Sequence, residues 1–217
     1  MKHGGAYLAV ALCLMWCRAG WASEPVVPPG LDPGGVSIAL LGGGVDYTKP
    51  SIAIRLARDG EGDLIAWDFT DNDIRPFAKT GGSNSDADHI VSHGEGFSLV
   101  IVKERPGDPA AVGYMAAFTT RTPARIIVWP DGHPSRPDWR IVFEAAQRFT
   151  DRLFIVPQPD NAAKPPMKSD GVVLAAPADG NSSRTKALDL AVAAAGLLAK
   201  TPQLTRDQLR KALASHR

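Results

Sequence analysis

Cysteine is scarce in this chain of 217 residues: only Cys13 and Cys17 occur, and both fall within the first 22. From residue 23 onward the sequence offers no disulfide framework and no thiolate metal site. Long apolar runs are scarce too. Ala6–Cys17 holds twelve residues, short of the ~20 that a membrane-spanning helix needs. No charge sign dominates, with 24 Lys and Arg against 23 Asp and Glu. A near-neutral, unclustered balance argues against the basic stripe that holds nucleic acid or an anionic membrane.

What is present at the start reads as an export signal. Lys2 supplies the positive end, Ala6–Cys17 the apolar stretch, and Gly20-Trp21-Ala22 the small residues that a signal peptidase reads. This predicts cleavage after Ala22 and a secreted or periplasmic protein. Leu14-Met15-Trp16 ahead of Cys17 is too bulky for a lipidation box. Without Lys2 and Arg18 the balance becomes 22 basic to 23 acidic residues, a net charge of −1. The 195 residues left suit one domain with its own core.

Residues 23–35 (SEPVVPPGLDPGG) are rich in Pro and Gly and predict an extended lead-in to a domain over 36–217. Apolar runs of strand length follow at Val36–Leu41, Leu64–Phe69, Tyr114–Phe118, Arg125–Trp129, Leu153–Val156 and Val172–Ala176. Their near-continuous apolar character predicts burial on both faces, as in a parallel sheet covered by helices. Helices are expected over Asp138–Phe149, over Ala187–Lys200 with Pro202 as its stop, and from Thr205, where Gln208 completes a capping box. Residues 78–92 and 157–170 read as loops by composition. The expected architecture is α/β, three layers, with a mostly parallel sheet flanked by helices.

Gly42-Gly43-Gly44 after an apolar strand invites a phosphate-loop reading, but no G-x-G-x-x-G spacing and no Lys-Ser/Thr pair follows. His89 and His93, four apart, with Asp86 and Asp88 nearby, suggest a metal site. Because the segment reads as loop, solvated acids are the plainer expectation, and no metal or cofactor is assigned. Trp67, Trp129 and Trp139 fall in apolar runs and are expected in the core.

A more specific pattern is Gly44-Val45-Asp46-Tyr47-Thr48-Lys49-Pro50 followed by Gly62-Asp63-Leu64-Ile65-Ala66-Trp67-Asp68-Phe69-Thr70-Asp71-Asn72-Asp73. It resembles the opening of the subtilisin-like serine peptidases, in which a buried strand ends in D-[TS]-G and runs into G-[VI]-D-Y-x-x-P and then G-x-D-F-x-x-x-D. Ser92-His93-Gly94-Glu95-Gly96 is similar to the H-G-T-H that opens a helix in that family. Asn181-Ser182-Ser183 is similar to its G-[TS]-S. Leu197–Leu213 is similar to its closing L-L-x-x-x-P-x-L-T-x-x-[QE]-[VL]-R-x-x-L. The resemblance spans roughly 36–217 and implies a shortened subtilisin-like fold.

The resemblance also implies a site. The histidine is His93 and the nucleophile Ser183, with Ser182 as the alternative. The triad aspartate falls on Gly42, which is expected to face His93, and glycine cannot orient an imidazolium. Loss of that aspartate alone lowers turnover by on the order of 10⁴. Asp46, four residues on, is the nearest acid to take its place. The oxyanion position falls on Asp160 or Asn161, and Asp160 would repel developing negative charge. Gly132 matches the peptide-binding S-x-G stretch, and Ala187 replaces the proline after the nucleophile. Ser182 or Ser183 equally suits the cap of the following helix, and His93 equally suits a local hydrogen bond. The implied function is a secreted pseudopeptidase that binds a polypeptide substrate or protein partner without efficient cleavage. The alternatives are a weak endopeptidase using a Ser-His pair and a scaffold without a ligand.

Overall fold

Alternation along the strands decides the architecture. In β1 (Val36–Gly42), Ile38 and Leu40 point to one side and Ala39 and Leu41 to the other, and all four are buried. The same split recurs in β3 (Phe97–Lys103), where Leu99 and Ile101 oppose Val100 and Val102. A strand that is apolar on both faces demands a helical layer on each side. The chain supplies both. The computed structural model describes residues 24–108, 110–132, 139–158, 169–177 and 180–214. The expected signal peptide and positions 160 and 161 lie outside the described residues.

The sheet has six strands in the order β2-β3-β1-β4-β5-β6, every neighbouring pair parallel. The remaining strands are β2 (Trp67–Asp68), β4 (Ile126–Val128), β5 (Leu153–Pro157) and β6 (Val172–Ala175). Beyond the single turn of α1 (Pro50–Ala53), five helices among the described residues cover the two faces. On one lie α2 (Gly82–His93), α5 (Ser183–Lys200) and α6 (Arg206–Ala214), which contribute Ile90, Leu190, Ala191, Ala194 and Leu209. On the other lie α3 (Ala111–Thr119) and α4 (Trp139–Arg148), which contribute Met115, Val142 and Phe143. The expected α/β, three-layer, parallel architecture is what the chain adopts.

Several elements differ from the sequence reading. Residues 78–92, expected as loop, hold α2. Its buried face carries Ser83, Asn84 and Asp86 beside Ala87 and Ile90, so no apolar stripe marks it. Tyr114–Phe118, expected as strand, lies in α3, whose apolar residues run almost unbroken and carry no period that separates a buried helix from a buried strand. β3, absent from the strand expectations, pairs with β1 along its whole length, Val36 opposite Phe97 through Gly42 opposite Lys103. The end of the chain folds as its sequence signals. The Gln208 backbone N–H donates to Thr205 Oγ1 (3.3 Å), and the Thr205 N–H donates to Gln208 Oε1 (2.9 Å).

The lead-in is held to the domain by side chains reaching back to it. Tyr47 OH donates to the Pro25 carbonyl at 2.8 Å, and the buried Arg58 donates to the carbonyls of Pro28 (2.6 Å) and Gly62 (2.7 Å).

Candidate functional site

After β1 the chain runs to β2 and β3 on one side of the sheet, and β4 then adds on the other side of β1. Open parallel sheets form their ligand crevice at such a switch, outside the carboxyl ends of the strands. Gly42 and Gly43 end β1 there, and Asp131 follows β4. The first turns of α2 and α5 meet at the same place. The two helices run side by side in the same direction, since Asp86 pairs with Arg184, His89 with Asp189, and a Cβ on Gly94 would lie 3.0 Å from Val192.

Ser83, on the first turn of α2, is what faces Gly42. A Cβ built on Gly42 would collide with Ser83 Oγ, and the Gly43 N–H donates to that oxygen at 2.7 Å. Gly42 thus makes room for a serine hydroxyl that caps the turn after β1. Next to it, Arg184 spans the gap between the two helices. Its Nε and Nη2 donate to Asp86 Oδ1 (2.9 Å) and Oδ2 (2.6 Å), and Nη1 pairs with Asp131 Oδ1. A Cβ on Gly82 would sit 2.7 Å from the Arg184 Nη2, so the second glycine of α2's entry clears the path of the guanidinium.

The Asp86 side chain is 3 % exposed, whereas that of Asp131 is 46 % exposed. Burial pushes the Asp86 carboxyl above its ordinary pKa, and the two hydrogen bonds from Arg184 pull it back. Burial alone would weaken the charge of Arg184, but its bonds to Asp86 and Asp131 outweigh that and hold the guanidinium above its ordinary value. The result is a fixed cation between two carboxylates, one locked in the interior and one facing solvent.

The residues assigned from the sequence are not brought together. His93 is the last residue of α2 rather than the first, about 15 Å along the helix from Ser83. It lies near the level of Val192, some nine residues beyond Ser183 on the parallel helix, and so roughly 13 Å from it. Its Nδ1 shares hydrogen bonds with the His89 carbonyl (2.8 Å) and Ser92 Oγ (3.0 Å), and its ring stacks on that of His89 at 4.2 Å. Local bonding is the role the structure gives it. Ser182 caps α5 by accepting from the Thr185 N–H at 3.2 Å, and Ser183 is the first residue of that helix. Asp46 turns to its own loop, accepting from the Thr48 N–H (3.0 Å) and hydroxyl (2.5 Å). Gly132 folds back on Trp129, where a Cβ would lie 2.8 Å from the indole. Trp129 is itself in the core, at 2 % exposure. Asp160 and Asn161 are outside the described residues.

The side chains suggested as metal ligands have other partners. His89 Nε2 lies 2.8 Å from Asp189 Oδ1, Asp88 accepts from Lys49 Nζ at 2.8 Å, and Asp86 holds Arg184. Among the described residues, Glu24, Asp68 and Asp71 do place carboxylate oxygens within 4.8 Å of one another. Lys103 Nζ stands 2.6 Å from Asp68 and 3.6 Å from Asp71 and already supplies the cation there. No described helix is long and apolar enough to cross a membrane.

Of the residues gathered here the sequence marks only Asp86, as an acid near His89 and His93; Ser83, Asp131 and Arg184 belong to no motif.

No family model and no curated protein matches the chain. Among solved structures, a cold adapted subtilisin-like serine proteinase superposes with a TM-score of 0.55 at 15 % identity, over 85 % of this chain and 83 % of the other. A patellamide maturation protease is similar at a TM-score of 0.49 and 15 % identity, with the same two coverages. A lanthipeptide protease reaches 0.45 at 15 % identity over 58 % of this chain and 40 % of its own. At such identities likeness speaks for the fold alone. Together with the six parallel strands between two helical layers, the first of these superpositions establishes that the chain has a subtilisin-like fold.

Proposed function

We propose that this protein is an exported pseudopeptidase, a peptidase fold that binds polypeptide at the carboxyl edge of its sheet without cleaving it efficiently. Export follows from the signal at residues 1–22, with 23–35 as lead-in and 36–217 as the binding domain. One observation carries the loss of catalysis. The crevice where the starts of α2 and α5 meet β1 is filled by the Asp86–Arg184–Asp131 ion pairs, beside a glycine at position 42. Peptide hydrolysis by a serine needs a base to take its proton and an acid to orient that base. The two histidines among the described residues, His89 and His93, both lie on the later turns of α2, away from Ser182 and Ser183.

The test is direct. The secreted chain, its amino terminus near Ser23, should hydrolyse a broad peptide substrate at least roughly a thousandfold more slowly than a competent subtilisin-like enzyme. A fluorophosphonate probe should leave Ser182 and Ser183 unlabelled at neutral pH. Rapid labelling at either serine refutes the reading. Labelling abolished by His93→Ala would establish the Ser-His endopeptidase in its place.

A further inference from the structure

The ion pairs in the crevice are unequal. Asp86 belongs to α2, is 3 % exposed, and grips Arg184 through two nitrogens, which fixes the plane of the guanidinium. Asp131 comes from the segment after β4, is 46 % exposed, and holds the remaining Nη1. An exposed carboxylate on an oriented arginine is an internal ligand that solvent and other anions compete for, because such pairs are weak. The surroundings favour an incoming carboxylate as well. The first turns of α2 and α5 direct their N–H groups to this edge of the sheet, and α2 has no side-chain cap of its own.

We propose that Arg184 is the receptor for a carboxylate of the bound polypeptide, and that Asp131 is the side chain that gives way to it. This rests on the polypeptide-binding reading above and adds a selectivity to it. The ligand's carboxylate takes Nη1 while Asp86 keeps Nε and Nη2, so the buried pair stays intact throughout binding. The recognised group is either an acidic side chain or a chain terminus, since both present the same two oxygens.

The experiment follows the Arg184 Nε–H resonance of the full processed chain by NMR during titration. The probes are Ac-Ala-Glu-Ala-NH2, Ac-Ala-Gln-Ala-NH2, Ac-Ala-Gln-Ala-OH and inorganic phosphate. The Glu peptide, or the peptide with the free terminus, should shift the resonance, and whichever does so identifies the source of the carboxylate. The Gln amide should not. Asp131→Asn should tighten the carboxylate peptide by about fivefold, the factor an exposed pair accounts for. The combined Asp86→Asn, Arg184→Gln variant removes both charges of the pair together with the reporting resonance, so its binding is read by titration calorimetry: the carboxylate peptide should give no binding heat, while the spectrum stays that of a folded protein. Equal binding of the Glu and Gln amides, unchanged by Asp131→Asn, overturns carboxylate selection and leaves polypeptide binding standing. No binding of any peptide by either protein overturns both. Phosphate that binds as tightly as the peptides overturns the peptide specificity.

Discussion

Gly42 and Ser83 face each other across the site, and their sizes are coupled. A Cβ at position 42 meets the Ser83 hydroxyl, while the Ser83 Cβ would be an ordinary 3.6 Å away. Backbone conformation at Gly42 does not demand glycine, because its φ is not positive. Space is therefore the constraint. Gly42→Ala alone should lower stability by about 1–3 kcal/mol through overpacking. Ser83→Ala alone should lose about 1 kcal/mol, the hydrogen bond from the Gly43 N–H. The double variant should be less impaired than the sum by roughly 1 kcal/mol, since removing the hydroxyl admits the methyl. Urea denaturation of the four proteins reads the coupling, and simple additivity would show that the two residues are not in contact. The same geometry explains why Gly42→Asp alone cannot restore a triad: the new side chain meets Ser83, and His93 is at the other end of α2.

At the scale of elements, α2 and α5 are joined near their starts by Asp86 and Arg184 and one to two turns later by His89 and Asp189. Removing one member of a buried ion pair strands the other charge, which costs far more than removing both. Arg184→Leu, which leaves the buried Asp86 carboxylate without its cation, should lower stability by about 3 kcal/mol, whereas Asp86→Leu combined with Arg184→Leu should lower it by less, as read from thermal or denaturant midpoints. Equal losses would place the energy in packing rather than in the uncompensated charge. These helices also mark what the sequence made legible. α5 and α6 announce themselves through small apolar residues, the stop at Pro202 and the Thr205–Gln208 box, and the subtilisin-like beginning at residues 44–73 indicates the fold. α2 does not announce itself, because the face it buries is polar: Ser83, Asn84 and Asp86 satisfy backbone and charge rather than fill a core. A site built on such a face is hidden from periodicity. His93 matches the histidine motif by residue identity alone, and its hydrogen-bond and ring partners are on its own helix. The ion pairs of Arg184 link segments 98 and 53 residues apart, and no local pattern registers that.

At the scale of the whole molecule, the lead-in is secured through Tyr47, a phenol with no exposed surface whose hydroxyl donates to the Pro25 carbonyl. Burial disfavours the phenolate, and the nearby Glu24 carboxylate adds to it, so the pKa rises from 10.0 to about 12. The direction of the stability effect follows from proton binding. Below pH 10 the phenol is protonated in both folded and unfolded chains, and its contribution is fully present. Between pH 10 and 12 the unfolded chain gives up the proton while the folded chain keeps it, so folding loses stability as pH rises. Tyr47→Phe removes the titrating group and leaves the Pro25 carbonyl without its donor, which should cost about 1 kcal/mol at neutral pH. The difference in stability between the original protein and Tyr47→Phe should accordingly be constant below pH 10 and shrink steadily above it. Urea midpoints of both proteins from pH 7 to 12 measure this, and subtracting one from the other cancels the lysines that titrate in the same range. A difference that stays flat through pH 12 would mean that Tyr47 ionises alike in both states, and that the lead-in is not sealed over it.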